Sequence, residues 1–225
     1  MTEKFDWESF LDPYIQAVGE LKIKLRGARK QYQKQHRHSP IEFVTGRVKP
    51  SESIKNKARL RGFTAENIAE MQDIAGVRVM VQFVEDVDEV LRLLRKREDF
   101  RIIQERDYIH NQKESGYRSY HVVIEYPVEM VTGQKLIFAE IQIRTLAMNF
   151  WATIEHSLNY KYQGAFPDEL KNRLATTAKI AFALDEEMSK IREEIQDAQL
   201  LFNPPHRKVD DGVENRDDFD EENNW

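Results

Sequence analysis

Apolar residues recur every three to four positions near both ends of the chain, and this spacing predicts long amphipathic helices. The first helix is predicted over residues 6–37, with a basic face opposite its apolar face, and Ser39-Pro40 ends it. Its apolar positions are Phe10, Tyr14, Ala17, Val18, Leu21 and Leu25. Near the other end, residues 146–162 predict an aromatic-rich helix, and residues 167–201 predict a further long helix or a pair of helices.

The middle of the chain is rich in β-branched and apolar residues, which predicts strands with short helices between them. The predicted strands cover residues 43–49, 77–84, 100–109, 120–126 and 135–144. The predicted helices cover residues 51–61, 64–72 and 86–97, with Thr64 as an N-cap and a capping box from Asp86. Because the turn at Thr132-Gly133 joins neighbouring strands, one pair is antiparallel. The pattern therefore predicts an α/β (α+β) domain, with helices flanking a mixed sheet of about five strands.

The composition favours one globular domain in the cytoplasm. The chain has 225 residues, of which 40% are hydrophobic, so it can bury a sizeable core. It has no cysteine, which excludes disulfides, thiolate metal sites and a cysteine nucleophile. No apolar run approaches the length of a membrane span, and the N-terminus lacks the features of a signal peptide. We therefore expect no membrane partner.

The net charge of −5 is concentrated in the last residues. Residues 203–225 contain eight acidic and three basic residues, which leaves 31 of each sign over residues 1–202. The tail is also almost free of apolar side chains, a composition typical of disorder. The sequence thus predicts one domain over residues 1–202 and an acidic, disordered tail over residues 203–225.

The segment Glu114–His121 joins two predicted strands and combines a glycine, two aromatic residues, an arginine and a histidine. Gly116 would let the backbone approach a ligand, an aromatic ring can stack on a base, and cations can bind phosphate. A simple surface turn needs none of these together, so the segment predicts a nucleotide pocket.

A polar row is predicted on the strand that follows. Alternation puts Glu140, Gln142 and Arg144 on one face of it, with Phe138, and apolar residues on the other face. A solvent-facing strand with an ion pair is the simpler interpretation, but helices covering both faces would make the row line a cleft. Asp73, at a predicted helix-to-strand transition, is by itself a helix-end residue. With Glu140 it could form a magnesium site of two carboxylates, since Mg²⁺ also takes waters and substrate phosphates.

A basic cluster lies between residues 47 and 61, where six bases accompany one acid. A solvated helix face is the usual explanation of such a run. Here, however, the bases fall on an extended segment as well as a helix, and they could surround a triphosphate. The chain lacks a P-loop and the protein kinase signatures, and it contains neither a His-Asp dipeptide nor His-Glu-x-x-His. These absences argue against a P-loop ATPase, a protein kinase and a metal hydrolase built on either histidine motif.

Together these motifs resemble the RelA/SpoT-type alarmone synthetases, and the absence of a hydrolase motif and of regulatory domains suits the stand-alone small synthetases of the RelQ type. The resemblance covers roughly residues 40–165. It is carried by Gly46–Pro50 with Ser53 and Lys57, by Gln72–Arg78, by Glu114–His121, and by Glu140–Thr145 with Asn149–Ala152. It implies the nucleotidyltransferase-like fold of these enzymes.

The resemblance also implies a reaction, the transfer of pyrophosphate from ATP to the ribose 3′-hydroxyl of GDP or GTP, which gives ppGpp or pppGpp and AMP. By similarity, Arg47 and Arg78 would hold adenine, and Lys49, Ser53, Lys57 and Arg59 would contact the ATP phosphates. Asp73 and Glu140 would hold Mg²⁺, and Glu140 would also act as general base. Tyr117 would stack on guanine, and Arg106, Lys113, His121, Gln142 and Asn149 would line the acceptor side.

Small synthetases of this type also assemble as homotetramers and bind their product, (p)ppGpp, in a central cleft as an activator. By similarity, the residues placed for that role are Lys22, Arg26, Arg29, Glu42, Phe43 and Thr45. A basic helix face opposite an apolar face suits a subunit interface beside an anion site, although such a face is often merely solvated.

Two other functions stay open at the level of sequence. One is a different nucleotidyl- or phosphotransferase on the same scaffold, because one fold hosts many chemistries. The other is a module that binds single-stranded RNA through its basic cluster and aromatic loop. Two carboxylates would repel RNA unless a metal is present, so RNA binding is better regarded as a second property of an enzyme. The sequence does not rank GDP against GTP.

Overall fold

The computed structural model describes residues 5–162 and 167–202, which form a five-stranded sheet and the helices around it. The helices are α1 (Trp7–Lys34), α2 (Ser51–Arg61), α3 (Glu85–Arg95), α4 (Leu146–Lys161) and α5 (Asp168–Phe202). The strands are β1 (Phe43–Val48), β2 (Ala75–Val81), β3 (Arg101–Asp107), β4 (Tyr120–Met130) and β5 (Gly133–Thr145). The main body ends at Lys190 within α5 and contains every contact discussed below. The predicted acidic tail, residues 203–225, lies outside the described residues.

The sheet has the strand order β1-β2-β5-β4-β3. The central pair β2 and β5 is parallel, and the other three pairs are antiparallel. A tight turn joins β4 to β5, where Gly133 adopts a φ of 104°, a left-handed conformation that favours glycine. The predicted mixed sheet of about five strands, and with it the α+β class, is confirmed.

One face of the sheet carries the hydrophobic core. Helix α1 begins at the N-cap Asp6, whose side chain accepts hydrogen bonds from the backbone N–H groups of Glu8 and Ser9. Its Leu21 and Leu25 are each 1% exposed and pack with α3 on the apolar residues of the strands. Successive strand residues point to opposite faces, so this packing leaves the polar positions of β2 and β5 on the other side.

The sequence prediction was wrong over residues 64–72, where only the short 3₁₀ segment Ile68–Glu70 is helical. Gly62 closes α2 in a left-handed conformation, and Thr64 caps no helix: its N–H donates to Asn67 Oδ1 at 2.7 Å. Helix α3 begins at Glu85 without a side-chain cap, so the predicted capping box is also absent. Asp86 is instead buried, and its Oδ1 lies 2.9 Å from His38 Nε2.

The single helix α5 over Asp168–Phe202 settles the choice between one helix and two. Trp151 on α4 packs against α5. Its indole N–H donates to the Leu174 carbonyl oxygen and to Thr177 Oγ1, each at 3.1 Å. Over the described residues, no helix is both long and apolar enough to cross a membrane.

Candidate active site

Two cavities open on the polar face of the sheet, and they share Asp73 and Glu140. The β1 cavity has a volume of about 240 Å³ and is lined by Thr45, Gly46, Arg47, Lys49, Asp73, Gly76, Val77, Arg78, Glu140 and Gln142. The α2 cavity has a volume of about 450 Å³ and is lined by Lys57, Arg61, Phe63, Glu70, Met71, Gln72, Asp73, Arg106, Tyr108 and Glu140. Two ligands in these cavities would therefore meet at the same two carboxylates.

Strand register explains how the β1 cavity is built. Arg47 on β1 pairs with Gly76 on β2, and Gly76 pairs with Glu140 on β5, so the three form one line across the sheet. Gly76 has no side chain, and a Cβ there would meet only the Arg47 carbonyl oxygen at 3.7 Å. Arg78 lies in the neighbouring line, two residues along the same strand face, so the two guanidinium groups flank open space.

Asp73 is held by two lysines and keeps one oxygen unused. Its Oδ2 accepts hydrogen bonds from Lys57 Nζ at 2.6 Å and from Lys49 Nζ. Burial would raise the pKa of this carboxyl, but the two lysines outweigh that effect and hold it below its usual range. Within the described residues, the buried Oδ1 has no hydrogen-bond partner. Asp73 is thus an ionised carboxylate with a free oxygen at the junction of the cavities.

Glu140 is 8% exposed and belongs to a closed ring of hydrogen bonds, here called the Glu140 ring. Its Oε1 lies 2.8 Å from His121 Nδ1, and its Oε2 accepts from Gln142 Nε2 at 2.7 Å. Burial would raise the pKa of Glu140, but the hydrogen bonds and charge of His121, with the amide of Gln142, lower it below its usual range. The carboxylate is therefore ionised at neutral pH, and each oxygen retains a second lone pair.

The ring closes through Tyr117 and Arg144. An ionised carboxylate can only accept, so His121 Nδ1 donates to Glu140 Oε1, and His121 Nε2 lies 2.8 Å from the Tyr117 hydroxyl oxygen. Arg144 Nη2 donates to the same hydroxyl oxygen at 2.6 Å and to Gln142 Oε1 at 2.9 Å. The predicted polar row of β5 is thus confirmed as part of a buried network.

Basic and aromatic groups lie in and around the α2 cavity, which Arg106 and Tyr108 line and which Lys113, Tyr117 and Asn149 do not. Arg106 Nη2 donates to Gln72 Oε1 at 2.7 Å, and the Lys113 ammonium lies 4.7 Å from the ring centroid of Tyr108 and 5.0 Å from that of Tyr117. Asn149 on α4 has a buried Oδ1 with no partner among the described residues. These groups can bind a phosphate and the face of a base.

The structure separates other residues that the resemblance grouped. Ser53 and Arg59 line neither cavity, and Arg59 Nη2 donates to Asn56 Oδ1 at 3.1 Å. Arg61 and Tyr108 do line the α2 cavity and were missed. Arg61 follows Lys57 by one helical turn, so helical spacing could have identified it. Tyr108 lies two residues beyond Arg106, on the same side of an extended segment, a weaker signal.

Gly116 lies where its loop packs against α5. It has a φ of 86°, and a Cβ there would lie 2.4 Å from the Cβ of Ala178 on α5. The left-handed backbone and this close packing both require glycine, which is a reason that the sequence did not show.

The residues predicted to bind an activator divide into two groups within one chain. Arg26 Nη2 on α1 donates to the Val44 carbonyl oxygen at 2.9 Å, and Arg29 lies 3.8 Å from Glu42. Lys22 packs beside Gly46 on the same side of β1. Phe43 and Thr45 alternate to the other face, and Thr45 lines the β1 cavity. The last two residues therefore do not join the basic face of α1 in a single chain.

Comparisons with known proteins agree with this geometry. Residues 46–165 match the region found in RelA/SpoT proteins. The chain is 58% identical over 196 residues to GTP pyrophosphokinase YjbM of Bacillus subtilis, a match that covers 87% of this chain and 93% of that protein.

Solved structures show the same fold. A GTP pyrophosphokinase family protein from Streptococcus pneumoniae is 71% identical with a TM-score of 0.82, over 89% of this chain and all of that one. Small alarmone synthetase 1 of Bacillus subtilis, solved with its product pppGpp, is 58% identical with a TM-score of 0.82, over 84% of this chain and 98% of that one. The matched region and these relatives show that the chain belongs to the RelA/SpoT family and is similar over most of its length to the small alarmone synthetases.

Proposed function

We propose that the protein transfers pyrophosphate from ATP to the ribose 3′-hydroxyl of GDP or GTP, giving ppGpp or pppGpp and AMP. The observation that carries this proposal is the pair of cavities that share Asp73 and Glu140. A two-substrate transfer needs both ligands at one reacting centre. The relative solved with pppGpp supports the choice of nucleotides.

ATP fits the β1 cavity and the acceptor nucleotide fits the α2 cavity. Arg47 and Arg78 provide planar guanidinium groups on two sides of the space for adenine. Lys49 and Lys57 stand at the junction, where the β- and γ-phosphates would lie. Arg61 and Arg106 would bind the phosphates of the acceptor, with Tyr108 and Tyr117 beside its base.

In the reaction, the 3′-oxygen of the acceptor forms a bond to the β-phosphorus of ATP. The bond from that phosphorus to the oxygen bridging the α- and β-phosphates breaks, and AMP leaves with the electron pair. The hydroxyl proton passes to a free lone pair of Glu140. A positioned general base typically contributes about 10²–10⁴ in rate, and His121 and Gln142 fix its orientation.

Mg²⁺ is the cofactor that the donor set suits. Among the described residues, no three Asp, Glu, His or Cys side chains gather into a metal cage. Mg²⁺ commonly binds one or two carboxylates and completes its shell with waters and substrate phosphates. The unpartnered Oδ1 of Asp73, with Glu140 beyond it, fits that mode of binding. When bound, the ion would neutralise charge on the transferred phosphates.

The remaining expectations are also proposals. The chain would lack alarmone hydrolysis, act in the cytoplasm, and bind (p)ppGpp as an activator along the basic face of α1 in a homotetramer. Single-stranded RNA would be a competing ligand of that face. Self-association is supported by exposed apolar residues at four-residue spacing: Leu146, Phe150 and Ile154 on α4 and Ile180, Leu184 and Met188 on α5.

A product assay tests the reaction. The purified protein would be incubated with Mg²⁺, γ-labelled ATP and either GDP or GTP, with and without added pppGpp, and the nucleotides separated. Label in ppGpp or pppGpp, with an equal amount of AMP, is the expected result and also shows the preferred acceptor. Label that stays in ATP or appears as free phosphate would reject the transfer.

A further inference from the structure

Helix α5 contacts the acceptor side of the site through one stripe of side chains. Ala178, Phe182 and Asp185 recur at a spacing of four and then three residues, so they share one helix face. They meet, in the same order, Gly116, Arg118 and Thr145. A helix remote from both cavities therefore fixes the loop that carries Tyr117.

The first contact is apolar, and the second is a cation–π contact. Gly116 packs on Ala178 so tightly that a Cβ would overlap the alanine methyl group, and the Arg118 guanidinium carbon lies 3.3 Å from the centroid of the Phe182 ring. Arg118 Nη1 is buried and has no hydrogen-bond partner among the described residues. Arg118 Nη2 donates to Gln112 Oε1 at 3.2 Å, and the stacking on Phe182 together with nearby charge also holds the guanidinium group.

The third contact is a buried carboxylate that the proposed transfer does not use. Asp185 is 6% exposed, and its Oδ2 accepts from Thr145 Oγ1 at 2.7 Å. Burial raises the pKa of Asp185 to about 6, even though Thr145 and the charge of Arg118 act in the opposite direction. An ionised group here costs folding stability, which a neutral amide of the same shape would avoid while still accepting from Thr145.

Thr145 connects this carboxylate to the Glu140 ring. Its Oγ1 also accepts from the Met148 backbone N–H at 3.0 Å, which makes it the N-cap of α4. It directly follows Arg144, whose Nη2 holds the Tyr117 hydroxyl at 2.6 Å. Asp185 thus lies beside two residues that are linked to Tyr117. Arg118 follows Tyr117 in the loop, and Thr145 follows Arg144, which donates to the Tyr117 hydroxyl.

We propose that Asp185 is a positioning residue that places Tyr117 and Arg144 for the acceptor nucleotide through Thr145 and Arg118. This inference rests on the proposed function, because it takes the α2 side as the acceptor site. It assigns the negative charge of Asp185, together with that of Glu186, the task of holding Arg118 against α5. Among the described residues, the contacts given above for the stripe include none of the residues that line the β1 cavity.

The variants Asp185→Ala and Asp185→Asn test the inference, with Ser189→Ala as the matched control. Ser189 lies one turn further on the same buried face, is 7% exposed, and donates to Glu85 Oε2 on α3 at 3.1 Å. Steady-state kinetics would give kcat and the KM values for GDP and ATP. Calorimetric titration with GDP alone, and with a non-hydrolysable ATP analogue alone, would measure binding without turnover.

We expect Asp185→Ala to raise the KM and Kd for GDP about tenfold, since a charged hydrogen bond fixes Thr145, the residue after Arg144, while the ATP values stay within twofold. Asp185→Asn retains the bond to Thr145 and should give a smaller rise of about threefold, from the lost charge alone. Ser189→Ala should leave the KM and Kd values for both nucleotides unchanged.

Equal changes in the Kd values for GDP and for the ATP analogue, or an unchanged Kd for GDP, would overturn the positioning role. If Asp185→Ala does not fold, the same comparison is made with Asp185→Asn, and an unchanged Kd for GDP then overturns it. If the wild type binds GDP but makes no ppGpp from ATP and GDP, the proposed function fails independently of the positioning role. Selective loss of GDP binding would still support the placement of the site.

Discussion

Lys57 and Arg61 lie one turn apart on α2 and both line the α2 cavity, whereas Arg59 between them lines neither cavity and donates to Asn56. Helix geometry therefore selects every fourth residue of this basic segment for the site.

Arg61→Ala should raise the KM for GDP or GTP about tenfold with little change in kcat, because it removes one charge-assisted phosphate contact. Arg59→Ala removes the same charge from the same helix and is the control, with a KM within twofold of the wild type. Steady-state kinetics on both variants check this. A raised KM for ATP in Arg59→Ala would instead support the contact with the ATP phosphates that the family resemblance gives this residue.

Removal of divalent ions should abolish turnover, because in the proposed reaction Asp73 and Glu140 hold Mg²⁺ against the transferred phosphates. Addition of EDTA, followed by titration with MgCl₂, would show a return of activity in the wild type. Asp73→Asn should require about tenfold more Mg²⁺ for half-maximal rate, while Glu66→Gln, a change at an exposed acid nearby, should not. Full activity in EDTA would reject the metal.

Asp185→Asn should stabilise the protein at neutral pH. The folded-state pKa of Asp185 is about 6, above its ordinary value of 3.8. Between these values the folded chain keeps a proton that the unfolded chain releases, so its stability falls as pH rises.

An amide does not titrate, and the variant should exceed the wild type by about 2–3 kcal/mol at pH 8, with the difference vanishing near pH 4. Thr145, Arg118 and Glu85 are the groups that face this carboxyl. Urea unfolding of both proteins across this pH range measures the difference. A difference that does not change with pH would contradict the burial argument.

The exposed apolar stripes on α4 and α5 should mediate self-association. Phe150 is 70% exposed and Ile180 is 64% exposed, values that are costly in water unless another subunit covers them. Phe150→Ser and Ile180→Ser should shift the protein towards smaller species in sedimentation velocity experiments. Val131→Ser, at the fully exposed tip of the β4–β5 turn, is the control and should leave the assembly unchanged. A wild type that sediments as a monomer would reject the proposed tetramer.

Local patterns predicted the parts of the fold that local physics determines. Helix α2 was predicted with its observed bounds because Pro50 precedes it and Gly62 closes it. Strand alternation predicted the polar row of β5. In the structure, Glu140, Gln142 and Arg144 of that row belong to the Glu140 ring.

Long-range packing decided what the sequence did not reveal. The sequence did not reveal that Gly116 packs on Ala178, because the two residues are distant in the chain. The helix expected over residues 64–72 gave way to a short 3₁₀ segment, which is followed by a turn that places Asp73 beside the two lysines. Asp185 lies on a helix that was predicted only from its apolar spacing, which says nothing about a buried carboxylate.

The most direct measurement compares turnover and nucleotide binding in wild type and Glu140→Gln. The amide keeps the size of the side chain but cannot take the 3′-hydroxyl proton. We predict that kcat falls about 10²–10⁴-fold, while the Kd values for GDP and a non-hydrolysable ATP analogue, measured without Mg²⁺, stay within a few-fold. Near-normal synthesis by this variant would contradict the role of Glu140 as the general base at the junction of the two cavities.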